Sequence, residues 1–244
     1  GINLLDTAPA YGSSEARLGE LLADMPSHFL ISTKVGEEFE STPQGPRSRY
    51  DFSPAHTRAS IERSLKRLRR ETLDIVLVHS DGCESDPLSD DPPPPCDPPP
   101  PCGGGGRACD GRGRCIPLDA LDTLADLKAE GKVRAIGFSP KTLAGARAAL
   151  PLSDVLMLTL NAAEPAMLPV VQQAHAAGVG VLIKKGLSSG YLPASPCSTA
   201  SPDPIESALA FLLTEPGVSS VVVGTINPDH LQHNVAAAEY AIRE

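Results

Sequence analysis

The chain has 244 residues, 41% of them hydrophobic, enough for one sizeable core. A net charge of −9 argues against a general polyanion binder, so nucleic acid is not an expected partner, although a local basic site for one phosphate is compatible with it. No stretch approaches the roughly 18 consecutive apolar residues of a membrane span and no basic-then-apolar leader is visible, so no membrane partner is expected and the expected setting is cytoplasmic.

In chain order, short apolar runs alternate with amphipathic stretches. INLLDTA opens the chain and SEARLGELLADM follows it; FLISTKVG then leads into SPAHTRASIERSLKRLRR. LDIVLVHS precedes an unusual segment, after which LDALDTLADLKAEGK, VRAIGFS, LAGARAAL and DVLMLTLN follow. PAMLPVVQQAHAAG, VGVLIKK, PIESALAFLLTEPG, SSVVVGT and NPDHLQHNVAAAEYAIRE complete the series. The apolar runs are rich in Val, Ile and Leu without strict in–out alternation, as strands buried on both faces by helices are. Ser53-Pro54 and Asn227-Pro228 read as helix N-caps followed by proline at the first helical position. Gly131, Gly178 and Gly217 stand where helix C-caps are expected.

Seven strand–helix units in series predict a parallel α/β protein, one unit short of a (β/α)8 TIM barrel. The whole of 1–244 is expected to be a single barrel domain whose first strand–helix unit is missing before Gly1. A doubly wound open sheet is the competing arrangement, weakened because no Gly-x-Gly-x-x-Gly joins a strand to a helix.

Residues 81–117 break the rhythm with two runs of four prolines, a run of four glycines and five cysteines from Cys83 to Cys115. Proline favours extended polyproline II and glycine a flexible coil, so this Pro/Gly/Cys-rich insertion is expected to be a disordered loop. The spacing of Cys96, Cys102, Cys109 and Cys115 does not match the two-residue gaps of common zinc sites, and no metal ligand set is predicted. On a barrel such a loop belongs to the catalytic face.

Barrel enzymes keep their chemistry at the C-terminal ends of the strands. Those ends supply Asp6 and Tyr11, Lys34, His79, Ser139 and Asn161. Taken singly, each has an ordinary role: Asp6 a cap, Tyr11 a half-buried aromatic, Lys34 a solvated amine, His79 a hydrogen-bonded core side chain. An acid, a phenol, an ammonium and an imidazole on neighbouring strand ends make a more specific constellation. His28, His56, His175 and His233 show no ligand spacing and read as surface or capping residues.

The segment GINLLDTAPAYGSSEARLGELL resembles the signature of the aldo-keto reductases, in which the strand-end Asp and the Tyr five residues on are catalytic. ISTKVG resembles that family's lysine motif and LDIVLVHS its histidine motif; GKVRAIGFS and VVVGTINPDHLQHNVAAAE resemble two of its cofactor segments. The likeness covers nearly the whole chain except 81–117, which places the insertion after the family's fourth strand. It implies a (β/α)8 fold and an NAD(P)H-dependent reduction of aldehydes or ketones, with Asp6, Tyr11, Lys34 and His79 as the catalytic set. By that likeness Tyr11 is the proton donor, Lys34 lowers its pKa while paired with Asp6, and His79 orients a small-molecule carbonyl substrate.

For the cofactor, the resemblance assigns Ser139 to the carboxamide, Asn161 to a neighbouring strand-end contact, and Lys184 to the place of a stacking aromatic, where either Lys184 or Lys185 could meet the pyrophosphate instead. Pro140 and Met157 stand where Asn and Gln are common, so two contacts are lost. Gly224, Thr225, Asn227 and Asn234 match positions that grip the adenosine phosphate and adenine, and His230 takes the place of the usual arginine. NADPH is the expected cofactor, with weaker selection against NADH because histidine is only partly charged near neutrality. A non-catalytic relative that binds cofactor or serves as a scaffold is the alternative. Neither substrate nor oligomeric state can be read, beyond a small aliphatic pocket suggested by 4% aromatic content and no tryptophan.

Overall fold

A computed structural model describes residues 1–25, 29–43, 45–82, 84, 108–109, 115–190 and 203–243. Most of the insertion, His28 and the segment 191–202 lie outside the described residues. The chain divides into two compact units, 4–156 and 1–3 with 157–244.

The larger unit begins with β1 (Leu4–Asp6), α1 (Ser14–Leu21) and β2 (Leu30–Val35). A hairpin of β3 (Glu37–Thr42) and β4 (Gly45–Tyr50) precedes α2 (Pro54–Leu68) and β5 (Leu73–His79). The insertion contributes β6 (Ala108–Cys109) and β7 (Cys115–Ile116), followed by α3 (Leu118–Ala129), β8 (Val133–Ser139), α4 (Leu143–Ala149) and β9 (Val155–Thr159), which crosses into the second unit. Parallel pairs join β1 to β2, β2 to β5, β5 to β8 and β8 to β9, so strand order follows chain order. The smaller unit continues with α5 (Leu168–Ala177), β10 (Gly180–Lys184), α6 (Pro204–Leu213), β11 (Ser220–Val221) and α7 (Pro228–Arg243), with β10 and β11 parallel.

The apolar runs become strands because both faces are covered. Every residue of β5 before His79 is buried, and Val76, Leu77 and Val78 are fully so. A recurring device sets the register of these strands. The Asp74 carboxylate accepts the Ile31 amide at 3.0 Å, and Asp154 accepts the Ile136 amide at 2.9 Å. In the smaller unit the Ser219 hydroxyl accepts the Val181 amide at 3.0 Å. Each supplies a side-chain acceptor for a strand N–H, satisfying a backbone donor beside the ladder.

The helix signals hold at particular residues. Ser53 Oγ accepts the His56 amide at 3.3 Å with Pro54 opening α2, and Asp203 caps α6 ahead of Pro204. Gly178 takes the left-handed conformation that ends α5. Gly217 does not cap α6, which ends at Leu213; it lies against α5, where a Cβ would sit 2.9 Å from His175 Cβ. Two features depart from the expected pattern. The polar stretch 37–50 forms a hairpin, and the end of the insertion pairs Ala108 with Ile116 and Cys109 with Cys115 in antiparallel register. Among the described residues, no helix is long and apolar enough to cross a membrane.

Candidate active site

β1 ends on Asp6 and the chain turns at once. The Thr7 amide donates to the Ser32 carbonyl at 2.8 Å, the Tyr11 amide to the Ala8 carbonyl at 3.0 Å, and Gly12 takes a φ of 62°. This turn sets Tyr11 beside the end of β2, with Lys34 Nζ 4.9 Å from the centre of its ring. Lys34 is only 2% exposed, so its ammonium needs partners within the protein. It donates to Asp6 Oδ2 at 2.6 Å and to the Thr7 carbonyl at 2.8 Å. Burial pulls the Lys34 pKa below its ordinary value, against the opposing charge and hydrogen bond of Asp6.

Tyr11 is half-exposed, yet its hydroxyl is pushed up to about 12, first by burial and then by the charges of Asp6 and Glu37.

His79, at the end of β5, is held by the hairpin. Its Nδ1 lies 2.5 Å from Glu37 Oε2, while Glu37 Oε1 accepts hydrogen bonds from Ser48 Oγ at 2.5 Å and Tyr50 Oη at 3.0 Å. Burial alone would push the Glu37 carboxyl up; hydrogen bonds from His79, Ser48 and Tyr50, with the His79 charge, outweigh it and hold the pKa at about 2. Burial and then the Glu37 charge push the Tyr50 hydroxyl up to about 12. Gly36 makes the approach: its φ is 96°, and a Cβ there would lie 2.4 Å from the Phe52 ring. Sequence reasoning named neither Glu37 nor the hairpin. The available signal was two polar, β-competent stretches around Pro43-Gln44-Gly45.

Asp6, Tyr11 and Lys34 thus form one cluster, and His79 joins Glu37, whose charge acts on both Tyr11 and Lys34. Ser139 is buried at the end of β8, opposite His79 in strand register. In the smaller unit, Asn161 Oδ1 accepts the amides of Ala163 and Glu164 at 3.0 and 2.9 Å, and its Nδ2 donates to the Lys185 carbonyl at 3.1 Å. Lys184 is half-buried at the end of β10. Gly224, Thr225 and His230 are exposed around the start of α7, where Asn227 Oδ1 accepts the Asp229 amide at 2.9 Å. Asn234 is buried, and among the described residues its Oδ1 has no hydrogen-bond partner.

Residues 1–194 match the sequence model of the aldo/keto reductase family. The chain belongs to that family. An aldo-keto reductase structure from Pseudomonas aeruginosa is 41% identical, with 99% of this chain and 79% of that one covered at a TM-score of 0.76. A Klebsiella pneumoniae aldo/keto reductase in complex with NADP and acetate shares the fold at 20% identity and a TM-score of 0.66, covering 98% of this chain and 75% of that one. The L-galactose dehydrogenase of Arabidopsis thaliana is 26% identical over 280 residues, 97% of this chain and 74% of its own. The protein is therefore an oxidoreductase of the aldo/keto reductase family, with that family's (β/α)8 fold represented among the described residues by seven strand–helix units.

Proposed function

We propose that this aldo/keto reductase reduces an aldehyde or ketone to the alcohol using NADPH, with NADH accepted less selectively than in relatives carrying arginine at the His230 position. The observation that carries the reading is the buried Lys34–Asp6 ion pair at 2.6 Å, set 4.9 Å from the ring of Tyr11. One domain spanning 1–244 and a small-molecule carbonyl substrate complete the proposal.

The residues fit a nicotinamide dinucleotide. Asn234 Oδ1 is a buried acceptor without a partner among the described residues, suited to an amino group such as that of adenine. At Gly224 a Cβ would meet no atom within 4 Å, which leaves space beside the backbone. The family resemblance supports Gly224, Thr225, Asn227, His230 and Asn234 of the smaller unit for the adenosine end and, each taken within its own unit, Asn161 and Lys184 of the smaller and Ser139 of the larger for other parts of the cofactor. When bound, the cofactor supplies the hydride, which no side chain can donate.

The chain's own residues handle the proton. As negative charge develops on the substrate oxygen, the Tyr11 hydroxyl donates to it. An alkoxide is more basic than a phenolate, so this transfer runs downhill even with the phenol near 12. Lys34, fixed by Asp6 and the Thr7 carbonyl, stabilises the phenolate left behind. His79 hydrogen-bonds the same oxygen and aligns the carbonyl.

Tyr11→Phe is expected to lower carbonyl reductase turnover by about 100-fold or more, the usual scale of a lost general acid, while the cofactor dissociation constant stays within about twofold. Full turnover in that variant with cofactor bound would overturn the assignment.

A further inference from the structure

The side chains of Thr7, Ser14, Glu15 and Thr33 take no part in the chemistry above, yet they complete a hydrogen-bonded circuit around it. Lys34 Nζ donates to the Thr7 carbonyl at 2.8 Å, and the Thr7 hydroxyl donates to Ser14 Oγ at 2.8 Å across the neck of the turn that carries Tyr11. The next residue, Glu15, accepts the Thr33 hydroxyl on Oε1 at 2.7 Å, and Thr33 precedes Lys34 on β2. From α2, Arg67 Nη1 donates to Glu15 Oε2 at 3.2 Å. Thr7, Glu15 and Thr33 are fully buried.

We propose that Glu15 is a positioning residue: through Thr33 it locks the turn carrying Tyr11 to the strand end carrying Lys34, fixing the phenol against the ammonium. The inference rests on the reading of Tyr11 as the proton donor. Burying a carboxylate is costly unless it is paired, and an apolar side chain would pack α1 on β2 without that cost. What the carboxylate adds is direction, since a hydrogen bond holds its partners to a narrow range of distance and angle. Among the described residues Ser13 makes no side-chain cap on α1, and the start of that helix is tied down through Ser14 and Glu15 instead.

Tyr11 sits in the middle of the span 7–14 and is itself half-exposed, so packing covers only part of it. Its amide donates to the Ala8 carbonyl at 3.0 Å and its carbonyl accepts the Ser14 amide at 3.2 Å, which makes the direction of the ring depend on both ends of the turn. The turn and Lys34 belong to one circuit, and neither can shift without stretching the contacts of Thr7 or Glu15. Proton transfer is sensitive to such a shift, because a misplacement of about 1 Å can cost about 100-fold in rate.

The test is amide hydrogen exchange in the cofactor-free full chain, paired with steady-state kinetics. Thr33→Val keeps the branched shape and removes the donor to Glu15, whereas Thr33→Ser keeps the hydroxyl. In Thr33→Val the Tyr11 and Ser14 amides are expected to exchange about tenfold faster relative to the Ile136 amide of β8, which reports any general loss of stability. Carbonyl turnover should fall about tenfold with KM and the cofactor dissociation constant within about twofold, and Thr33→Ser should restore both readouts. Ser14→Ala opens the neck of the turn at a half-buried position and should shift exchange in the same direction, so the lock can be tested even if Thr33→Val does not fold. A turn that exchanges no faster relative to Ile136 in these variants would overturn the proposal, as would a loosened turn with full turnover. The exchange readout needs neither substrate nor cofactor. An inactive wild type whose turn still loosens in Thr33→Val would defeat the functional reading alone, and an active one whose turn stays closed would defeat this inference alone.

Discussion

Replacing Lys34 with methionine isolates the interaction on which the site is built. The substitution keeps most of the apolar stem and removes the ammonium. Asp6 Oδ2 then loses its donor at 2.6 Å, and Asp6 Oδ1 already has no hydrogen-bond partner among the described residues. The carboxylate cannot hydrate freely in compensation, because its side chain is only 10% exposed. Removing one partner of a buried ion pair costs about 3–5 kcal/mol. Relief of the strained burial of Lys34, whose pKa desolvation already lowers, places the expected loss near the bottom of that range, at about 3 kcal/mol. In a chain of this length about 1 kcal/mol moves the melting temperature by about 2–4 °C, so the drop should be about 6–12 °C. The assay is thermal and urea unfolding followed by far-ultraviolet circular dichroism at pH 7. Asp6→Asn combined with Lys34→Met leaves no uncompensated charge and should recover about 2 kcal/mol relative to the single variant. A drop smaller than about 2 °C in Lys34→Met, or a double variant no more stable than the single one, would refute the reasoning.

Gly19→Ala tests the contact between α1 and α2, because a Cβ at that position would fall 2.0 Å from the Arg67 carbonyl oxygen. Alanine normally stabilises a helix relative to glycine by about 1 kcal/mol, so the sign is diagnostic. Here the helices must part, and a loss of about 2–3 kcal/mol is expected in the same unfolding assay; a rise in melting temperature would show that they can move apart freely. Tyr11 and Tyr50, both pushed up to about 12, favour the folded state as long as they stay protonated. Their contribution is complete below the ordinary phenol value near 10 and is lost as the pH rises toward 12, so stability should fall across that window. Tyrosinate absorbance should show this late component, with Tyr11→Phe and Tyr50→Phe each removing one residue's share; a wild-type titration complete near pH 10 would contradict it.

Much of the fold was legible because its signals are local. A strand buried on both faces has to be a short run of Val, Ile and Leu, so the boundaries of β2, β5 and β8 were written in composition. Ser53-Pro54 marked the start of α2 for an equally local reason, since a side-chain oxygen and a fixed φ suit the first helical turn. The hairpin escaped because its residues are polar on both faces and its stability comes from cross-strand pairs such as Arg49 with Glu40 at 2.7 Å, which involve partners on the other strand. Gly217 was misread for a related reason: its constraint is the approach to α5, not the geometry of the helix before it.

The same division runs through the site. Residue types and spacing were sufficient to pick out Asp6, Tyr11, Lys34 and His79, because parallel strands deliver their last residues to one end of the sheet whatever surrounds them. Tertiary structure alone decided their electrostatics. Charge interactions depend on distance through space and on burial, so a carboxylate carried on a hairpin could reach His79. Burial, and then the charges of Asp6 and Glu37, likewise raise the Tyr11 phenol above its ordinary value.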